Sequence, residues 1–309
     1  MRHSAAVQVR EEGEKSWVDA SPFLKWAGGK SAIAERIRTL LPSDVRGRVY
    51  REPFLGGGAM FFYLQPEKAI LSDAVKSLIH TYKTVQKQVE LLIHRLEKLR
   101  VDHSDEHFYK IRERFNHERS AEMLDRAAWL IYLNKTCYNG LFRTNKSGEF
   151  NVPVGRFANP RVVDPERLRV SSGLLSRAKI KHETFDYLVA DAETDDMIYL
   201  DPPYDPISKT SSFAGYAEGG FGREDQERLA DTFKLLDARG CVLALSNSDT
   251  PLVRKLYAGY DLCPIIAPRA ISAKSATRGE VTELLIRNLE KYPAAAKVYS
   301  LAASRRISG

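Results

Sequence analysis

The sequence predicts an α/β protein: a mostly parallel sheet with helices on both faces, interrupted by a mostly helical insert. Three observations carry this. Short apolar runs of strand length alternate with helix-like stretches, both before residue 77 and after residue 165. Between them lie three stretches of helical periodicity. The strand-like runs end in a glycine cluster, an acid or a proline pair, residues that stop a ladder and begin a turn.

In chain order, "GRVYREPF" reads as a short strand running into Gly56-Gly57-Gly58. The helix-like "AMFFYLQ" follows, and a second strand, "KAILSD", ends at Asp73. From Val75 the apolar positions Leu78, Ile79, Tyr82, Val85, Val89, Leu92, Ile93, Leu96 and Leu99 recur at helical spacing. Two more helices are expected around "EHFYKIRERFN" and "EMLDRAAWLIYLNK". Alternation resumes with "AKIKHE", "DMIYLD", "CVLALSN" and "VTELLIRNL" as strands, separated by helices such as "REDQERLADTFKLLDARG". Such alternation predicts crossover connections and parallel pairing. The final "AAAKVYSLAASRRISG" reads as a loose tail.

A chain of 309 residues, 43% hydrophobic and 28% charged, has the balance of a soluble globular protein. No apolar run approaches the roughly 20 residues that span a bilayer. The opening "MRHSAAVQVREEGEKSW" lacks an apolar signal core and is too acidic for a transit peptide. Cys137, Cys241 and Cys263 are odd in number and widely spaced, which indicates neither a disulfide framework nor a zinc site. A cytoplasmic location is expected, with no membrane and no metal. The formal net charge of +7 is compatible with a polyanionic partner without specifying one.

Two glycine clusters fail the tests for nucleotide-phosphate motifs. Gly56 and Gly58 satisfy G-x-G, but the third glycine of the dinucleotide fingerprint falls at Phe61. "GGKS" at 28–31 ends like a P-loop, whose first glycine falls at Leu24. What remains is a glycine turn between strand and helix, where a ligand can approach the backbone closely. Asp73 ends the next strand, placed to accept from ribose hydroxyls; capping the following helix is its other reading. "YLDPPY" at 199–204 sets Asp201 at another strand end, with a stiff backbone behind it and the Tyr204 ring nearby. A rigid carboxylate beside a flat ring suits a planar group that carries an amine. In an open α/β sheet ligands bind beyond the carboxyl ends of the strands, where Gly56, Asp73 and Asp201 all fall. A ribose-bearing cofactor without a phosphate clamp points to S-adenosylmethionine.

In order and spacing, "FLKWAGGKS", "EPFLGGGA", "LSD", "YNGLFRTNKSGEFNVPVG", "YLDPPY" and "LSNSD" resemble the Dam-type DNA adenine-N6 methyltransferases, from about Pro22 to about Leu289. The glycine motif precedes the helical block and "DPPY" follows it, the arrangement of the family's alpha group. The resemblance implies a Rossmann-like methyltransferase sheet and an inserted recognition domain that carries a β-hairpin. The boundaries it implies are an extension over 1–20, a discontinuous catalytic domain of 21–77 and 166–290, a target-recognition domain of 78–165, and a tail of 291–309. It implies that Trp26, Lys30, Phe54, Gly56, Asp73, Asp186 and Asp201 contact S-adenosylmethionine. Asp201, Pro202 and Tyr204 would be catalytic: the carboxylate and the Pro202 carbonyl accept from adenine N6, and Tyr204 stacks on a base flipped out of the duplex.

The stretch "CYNGLFRTNKSGEFNVPVGRF" resembles the family's recognition hairpin, with Lys146-Ser147-Gly148 near its turn. By that resemblance Lys25, Leu141, Arg143 and Pro153 read a G-A-T-C site in double-stranded DNA, Tyr138 enters the base stack and Asn139 contacts a phosphate. Arg143, Lys146, Arg156, Arg161, Arg167 and Arg169 face only Glu149, Asp164 and Glu166 in the local sequence, so Lys146 and Arg161 are expected at phosphates. The segment "DPISKTSSFAGYAEGGFG" is expected to close over the flipped adenine. Two other classes stay open: methylation of another DNA sequence, RNA adenine or a glutamine amide, and DNA binding without catalysis. Oligomeric state, and the choice between a restriction-modification partner and solitary methylation, are not encoded in these motifs.

Overall fold

The computed structural model describes residues 18–157, 159–207, 221–268 and 280–289. Among them, seven segments pair into one sheet: β1 (Val49–Glu52), β2 (Lys68–Asp73), β3 (Ala178–His182), β4 (Met197–Leu200), β5 (Val242–Ser248), β6 (Asp261–Pro268) and β7 (Glu280–Arg287). The spatial order is β3-β2-β1-β4-β5-β7-β6. β1 to β5 pair in parallel, and β7 lies antiparallel between β5 and β6. All positions of β4 and β5 are buried, which is why "MIYL" and "VLALSNS" read as continuous rather than alternating runs. The period of two persists in the packing: Tyr199 joins one apolar cluster, while Ile198 and Leu200 join the cluster on the other face.

Chain order reverses at β1, whose neighbours are β2 on one side and β4 on the other. The turn after β1 and the segment after β4 therefore emerge side by side at the carboxyl edge, the crevice that open α/β sheets offer to ligands.

The strands expected from sequence are present, and β6 is added to them. Pro264 hid it, because proline cannot donate to a ladder; β6 is one of the sheet's two outer strands, paired among the described residues with β7 alone, and tolerates it there. The helices α1 (Ala34–Thr39), α6 (Pro165–Leu175), α7 (Leu188–Asp191) and α9 (Pro251–Leu256) are also additions. For α6 a start signal existed: Asp164 accepts from the Arg167 amide and Pro165 occupies the first turn. Gly173 and the serine pair beside it weakened the periodicity. The helices α2 (Ala59–Leu64), α3 (Lys76–Val101), α4 (Asp105–His117), α5 (Met123–Thr136) and α8 (Arg223–Ala238) fall where expected.

The long α3 is broken at Gln88, which leaves helical geometry at φ −139° and ψ 38°. Beside the break, the Gln86 amide donates to the Leu175 and Ala178 carbonyls at 2.7 and 2.9 Å, and the Ser172 hydroxyl donates to the Gln86 carbonyl. The first half thus belongs with α6 and β3, and the second carries Leu92, Ile93 and Leu96 into the helical block. Buried residues of the sheet, α3, α4, α5 and the segment 142–152 share one apolar cluster.

Candidate active site

The turn after β1 is built for close approach. Gly56 has φ 47°, and a Cβ there would stand 2.8 Å from the Trp26 ring. The Asp73 carboxylate accepts from the Gly56 amide at 2.9 Å and from the Val75 amide at 2.9 Å. It therefore ties the glycine turn to the start of α3, in an Asx turn that begins two residues ahead of the helix's own N-cap, Val75. Burial raises the Asp73 pKa above the ordinary carboxylate value, and the two amides oppose the rise. The Tyr82 hydroxyl holds the Gly56 carbonyl at 3.1 Å. Trp26 also stacks on Phe142, with centroids 5.1 Å apart, so it joins the glycine turn to the recognition segment. Phe54 stacks on Phe185, next to Asp186. Asp186 is exposed, its carboxylate accepting from Thr184 at 2.7 Å and pairing with Arg228 at 3.1 Å.

Asp201 follows β4 directly. Its Oδ1 lies 2.8 Å from the ammonium of Lys30, which is only 3% exposed. Burial raises the Asp201 pKa and the Lys30 charge pulls it back, with the net direction upward. Lys30 also donates to the Gly28 carbonyl and sits 4.8 Å from the centroid of the Tyr204 ring. The resemblance implies cofactor contact for Lys30 and gives no sign of this ion pair, whose partner follows a strand far along the chain. Pro202 is buried beside Asp201. The backbone beyond it is clamped: Gln226 donates to the Pro203 carbonyl at 2.9 Å, and Asn247 accepts from the Asp205 amide at 3.0 Å. Asn247 in turn donates to Gln226 at 3.0 Å, which gives the asparagine of "LSNSD" a structural place.

Below Asp201 stands Glu52, a residue the sequence reading passed over. It accepts from the Tyr50 hydroxyl at 2.9 Å and the Phe61 amide at 3.1 Å, and burial pushes its pKa up to about 8. At neutral pH Glu52 is thus mostly protonated, which avoids a second buried negative charge next to Asp201.

The segment expected to recognise DNA turns back on itself, held by two antiparallel bridges, Cys137 with Val154 and Thr144 with Phe150, instead of a continuous ladder. The Asn145 side chain accepts from the Ser147 and Glu149 amides and closes the turn that displays Lys146. Asn116 of α4 replaces a missing strand partner: it donates to the Phe150 carbonyl and accepts from the Phe150 amide. Arg143 is exposed, and its Nε donates to Asn151 at 2.8 Å. Tyr138, Asn139 and Pro153 are exposed on the same segment, while Leu141 is partly buried. Asn139 takes a left-handed φ of 56°. Lys25 lies across Gly140, where a Cβ would come within 2.3 Å of its chain, and its ammonium reaches the Phe157 ring. Asn134 pins both, exchanging bonds with the Lys25 backbone and donating to the Gly140 carbonyl.

The basic run is less free than its composition suggests. Arg161 and Arg167 both pair with Asp164, and Arg169 makes two bonds to Glu90 of α3, a partner that local counting misses. Lys135, at the end of α5, was not singled out. Burial and the charges of Arg167, Lys25 and Arg161 push its pKa down to about 8, so it lacks a local counter-charge strong enough to hold it up. The segment expected to close over the base falls mostly at 208–220, outside the described residues, as do residues 1–17 and the tail. Among the described residues no cluster of His, Cys, Asp or Glu could hold a metal ion, and no helix is long and apolar enough to cross a membrane.

This arrangement sets a partly buried, ion-paired carboxylate, an aromatic ring and a glycine turn at one edge of the sheet, next to an exposed basic segment. Comparison with known proteins gives it a family. Residues 26–271 match the model for D12 class N6 adenine-specific DNA methyltransferases. The chain is 41% identical over 288 residues to the Type II methyltransferase M.MjaIII of Methanocaldococcus jannaschii, covering 88% of this chain and 100% of that protein. It is 39% identical to M1.LlaDCHI of Lactococcus lactis, covering 89% and 98%, and 35% identical to the DNA adenine methylase of Escherichia coli K12, covering 85% and 93%. Sheet, site and relatives agree: the chain belongs to the D12 class of N6 adenine-specific DNA methyltransferases.

Proposed function

We propose that this DNA adenine methyltransferase takes its methyl group from S-adenosylmethionine and acts on adenine in 5′-GATC-3′ duplexes, with the target base flipped out of the helix. The observation that carries the reading is the meeting, at the strand-order reversal, of Asp201, Pro202 and Tyr204 with the glycine turn and Asp73.

The residues present fit the cofactor. Each Asp73 oxygen accepts one backbone amide and keeps a second lone pair for a ribose hydroxyl. Trp26, Lys30, Phe54, Gly56 and Asp186 line the approach. When bound, S-adenosylmethionine supplies a methyl group on a positively charged sulfur. The chain's own residues prepare the acceptor. Adenine N6 is a poor nucleophile because its lone pair is delocalised into the ring. Accepting its two hydrogens at the Asp201 carboxylate and the Pro202 carbonyl favours a pyramidal nitrogen with its lone pair aimed out of the plane. Tyr204 holds the ring flat. Positioning and preorganised acceptors supply most of the acceleration in such a site, and deprotonation before attack is unnecessary.

Lys25, Leu141, Arg143 and Pro153 serve as base readers, Tyr138 fills the gap in the stack, and Asn139, Lys146 and Arg161 anchor phosphates. Residues 78–165 would work as the recognition unit on the sheet domain, in the cytoplasm with the DNA. The relatives' names span Type II methyltransferases and DNA adenine methylases, so both biological settings remain compatible with this chemistry.

The deciding experiment is transfer of radiolabelled methyl groups to duplexes that differ only within the four-base site. Label is expected in GATC and strongly reduced in every single-base substitution; equal labelling throughout would remove the sequence claim and leave the adenine chemistry. Asp73→Ala should weaken S-adenosylmethionine binding roughly tenfold, the size of one lost hydrogen bond to a charged group. Titration calorimetry checks this, and unchanged affinity would take Asp73 out of the cofactor site.

A further inference from the structure

The phenol of Tyr204 is held by a residue that belongs to neither the tetrapeptide nor the glycine motif. Its hydroxyl donates to Glu283 Oε2 at 2.8 Å. Glu283 lies on β7, where it pairs with Ser248 of β5 on one side and Ile265 of β6 on the other. Its backbone is therefore fixed between two ladders, whereas Tyr204 stands on irregular backbone past the end of β4. The Glu283 carboxylate is close enough to Asp201 to make ionisation of Asp201 costlier, and the Tyr204 hydroxyl lies near both. It donates to the one on the sheet. The Lys30 ammonium lies over the ring, 4.8 Å from its centroid.

We propose that Glu283 is a positioning residue for the methyl-transfer reaction: by anchoring the Tyr204 hydroxyl on β7, it sets the tilt of the ring on which the flipped adenine stacks. The inference rests on the reading of Tyr204 as the stacking ring. A long aromatic side chain on a loop keeps rotational freedom that a hydrogen bond to a fixed strand removes, and small errors in base tilt misaim N6. This also gives a reason for a strand added antiparallel beside β5: it delivers a carboxylate to the crevice from the side opposite the glycine turn.

The test is a double-mutant cycle in the full chain, with Glu283→Ala, Tyr204→Phe and the pair. It is read by single-turnover methyl transfer to a GATC duplex and by the fluorescence of a duplex carrying 2-aminopurine at the target adenine. Each single change should lower turnover roughly tenfold with the KM for DNA nearly unchanged, the size expected for one hydrogen bond to a charged acceptor. The pair should be no worse than either single. Fluorescence should rise in all three, because a base less firmly stacked is less quenched. Glu283→Gln, whose amide oxygen still accepts, should restore most of the turnover lost in Glu283→Ala. Additive losses in the pair, or a Gln variant as poor as the Ala variant, would overturn the proposal.

Tyr204→Phe reaches the bond without touching β7, so a Glu283→Ala chain that fails to fold does not end the test. Wild-type turnover and fluorescence in Tyr204→Phe would overturn the proposal by themselves. Tyr204→Ala separates the two layers: unchanged turnover there would refute the stacking assignment itself. A deficient Tyr204→Ala beside an additive cycle would remove only the role of Glu283.

Discussion

Asp201→Ala is expected to lower the rate of methyl transfer by about 10²–10³-fold, the effect of removing one preorganised group that stabilises developing charge. Binding of duplex DNA should persist, since the exposed basic segment is elsewhere. The alanine also strands the Lys30 ammonium, which is 3% exposed and 2.8 Å from the lost oxygen, so the variant should be less stable. Asp201→Asn is the better comparison: its carbonyl still accepts from Lys30, but its amide presents hydrogens where the substrate's N6 hydrogens need an acceptor. Single-turnover transfer, read beside the thermal midpoint, separates the two effects; an asparagine variant within about threefold of wild type would remove Asp201 from catalysis. The pH profile gives a second reading. Burial raises the Asp201 pKa, and the ionised form is the stronger acceptor for N6 while the protonated form presents a competing O–H donor, so turnover should fall as pH drops through that value. Lys30→Met removes the charge that holds the pKa down, and the acid limb should move to higher pH.

Arg143→Ala is expected to lower kcat/KM on GATC roughly ten- to a hundredfold, since a bidentate contact to guanine is worth about 1–3 kcal/mol of discrimination. Its Nε already donates to Asn151, so a bidentate guanine contact would fall to the guanidinium's two terminal nitrogens. On duplexes already altered at the contacted guanine the same variant should lose far less, because no contact remains to be lost. Lys146→Ala and Arg161→Ala should instead weaken binding to all sequences alike and reduce the salt slope by about one unit each. For Arg161 part of that loss is offset, because Asp164 already engages it at 3.1 Å. The measurement is kcat/KM on GATC and single-substitution duplexes at two salt concentrations. Equal losses for Arg143→Ala on every duplex would make it a phosphate anchor.

Much of this site could be read without a structure because its signals are local. A glycine needed at Gly56, an acid closing "KAILSD" and a proline pair stopping β4 are each decided by the conformational needs of a few adjacent residues. The long periodic stretch at α3 announced a helix, but not its break at Gln88, beside which the Gln86 side chain donates to carbonyls of α6 and β3 and the Ser172 hydroxyl donates to the Gln86 carbonyl. The hairpin was legible as a turn and two arms. That it forms only two bridges, with Asn116 of α4 in place of a strand, depends on a helix that approaches from outside the segment.

The sequence by itself determined the class of fold, the strand ends that meet at the sheet's carboxyl edge and the family the chain belongs to, because periodicity, turn residues and motif spacing act over short distances along the chain. Only the tertiary structure decided which charges meet. Lys30 is neutralised by Asp201, Arg169 by Glu90, and Tyr204 is held by Glu283, in each case across elements far apart in sequence. The reason is electrostatic and geometric together. A charge's partner is whatever the packed sheet and helices bring within a few ångströms, and burial then decides its strength: Lys30–Asp201 is largely shielded from water, whereas Arg169–Glu90 stays exposed. No local pattern specifies either quantity.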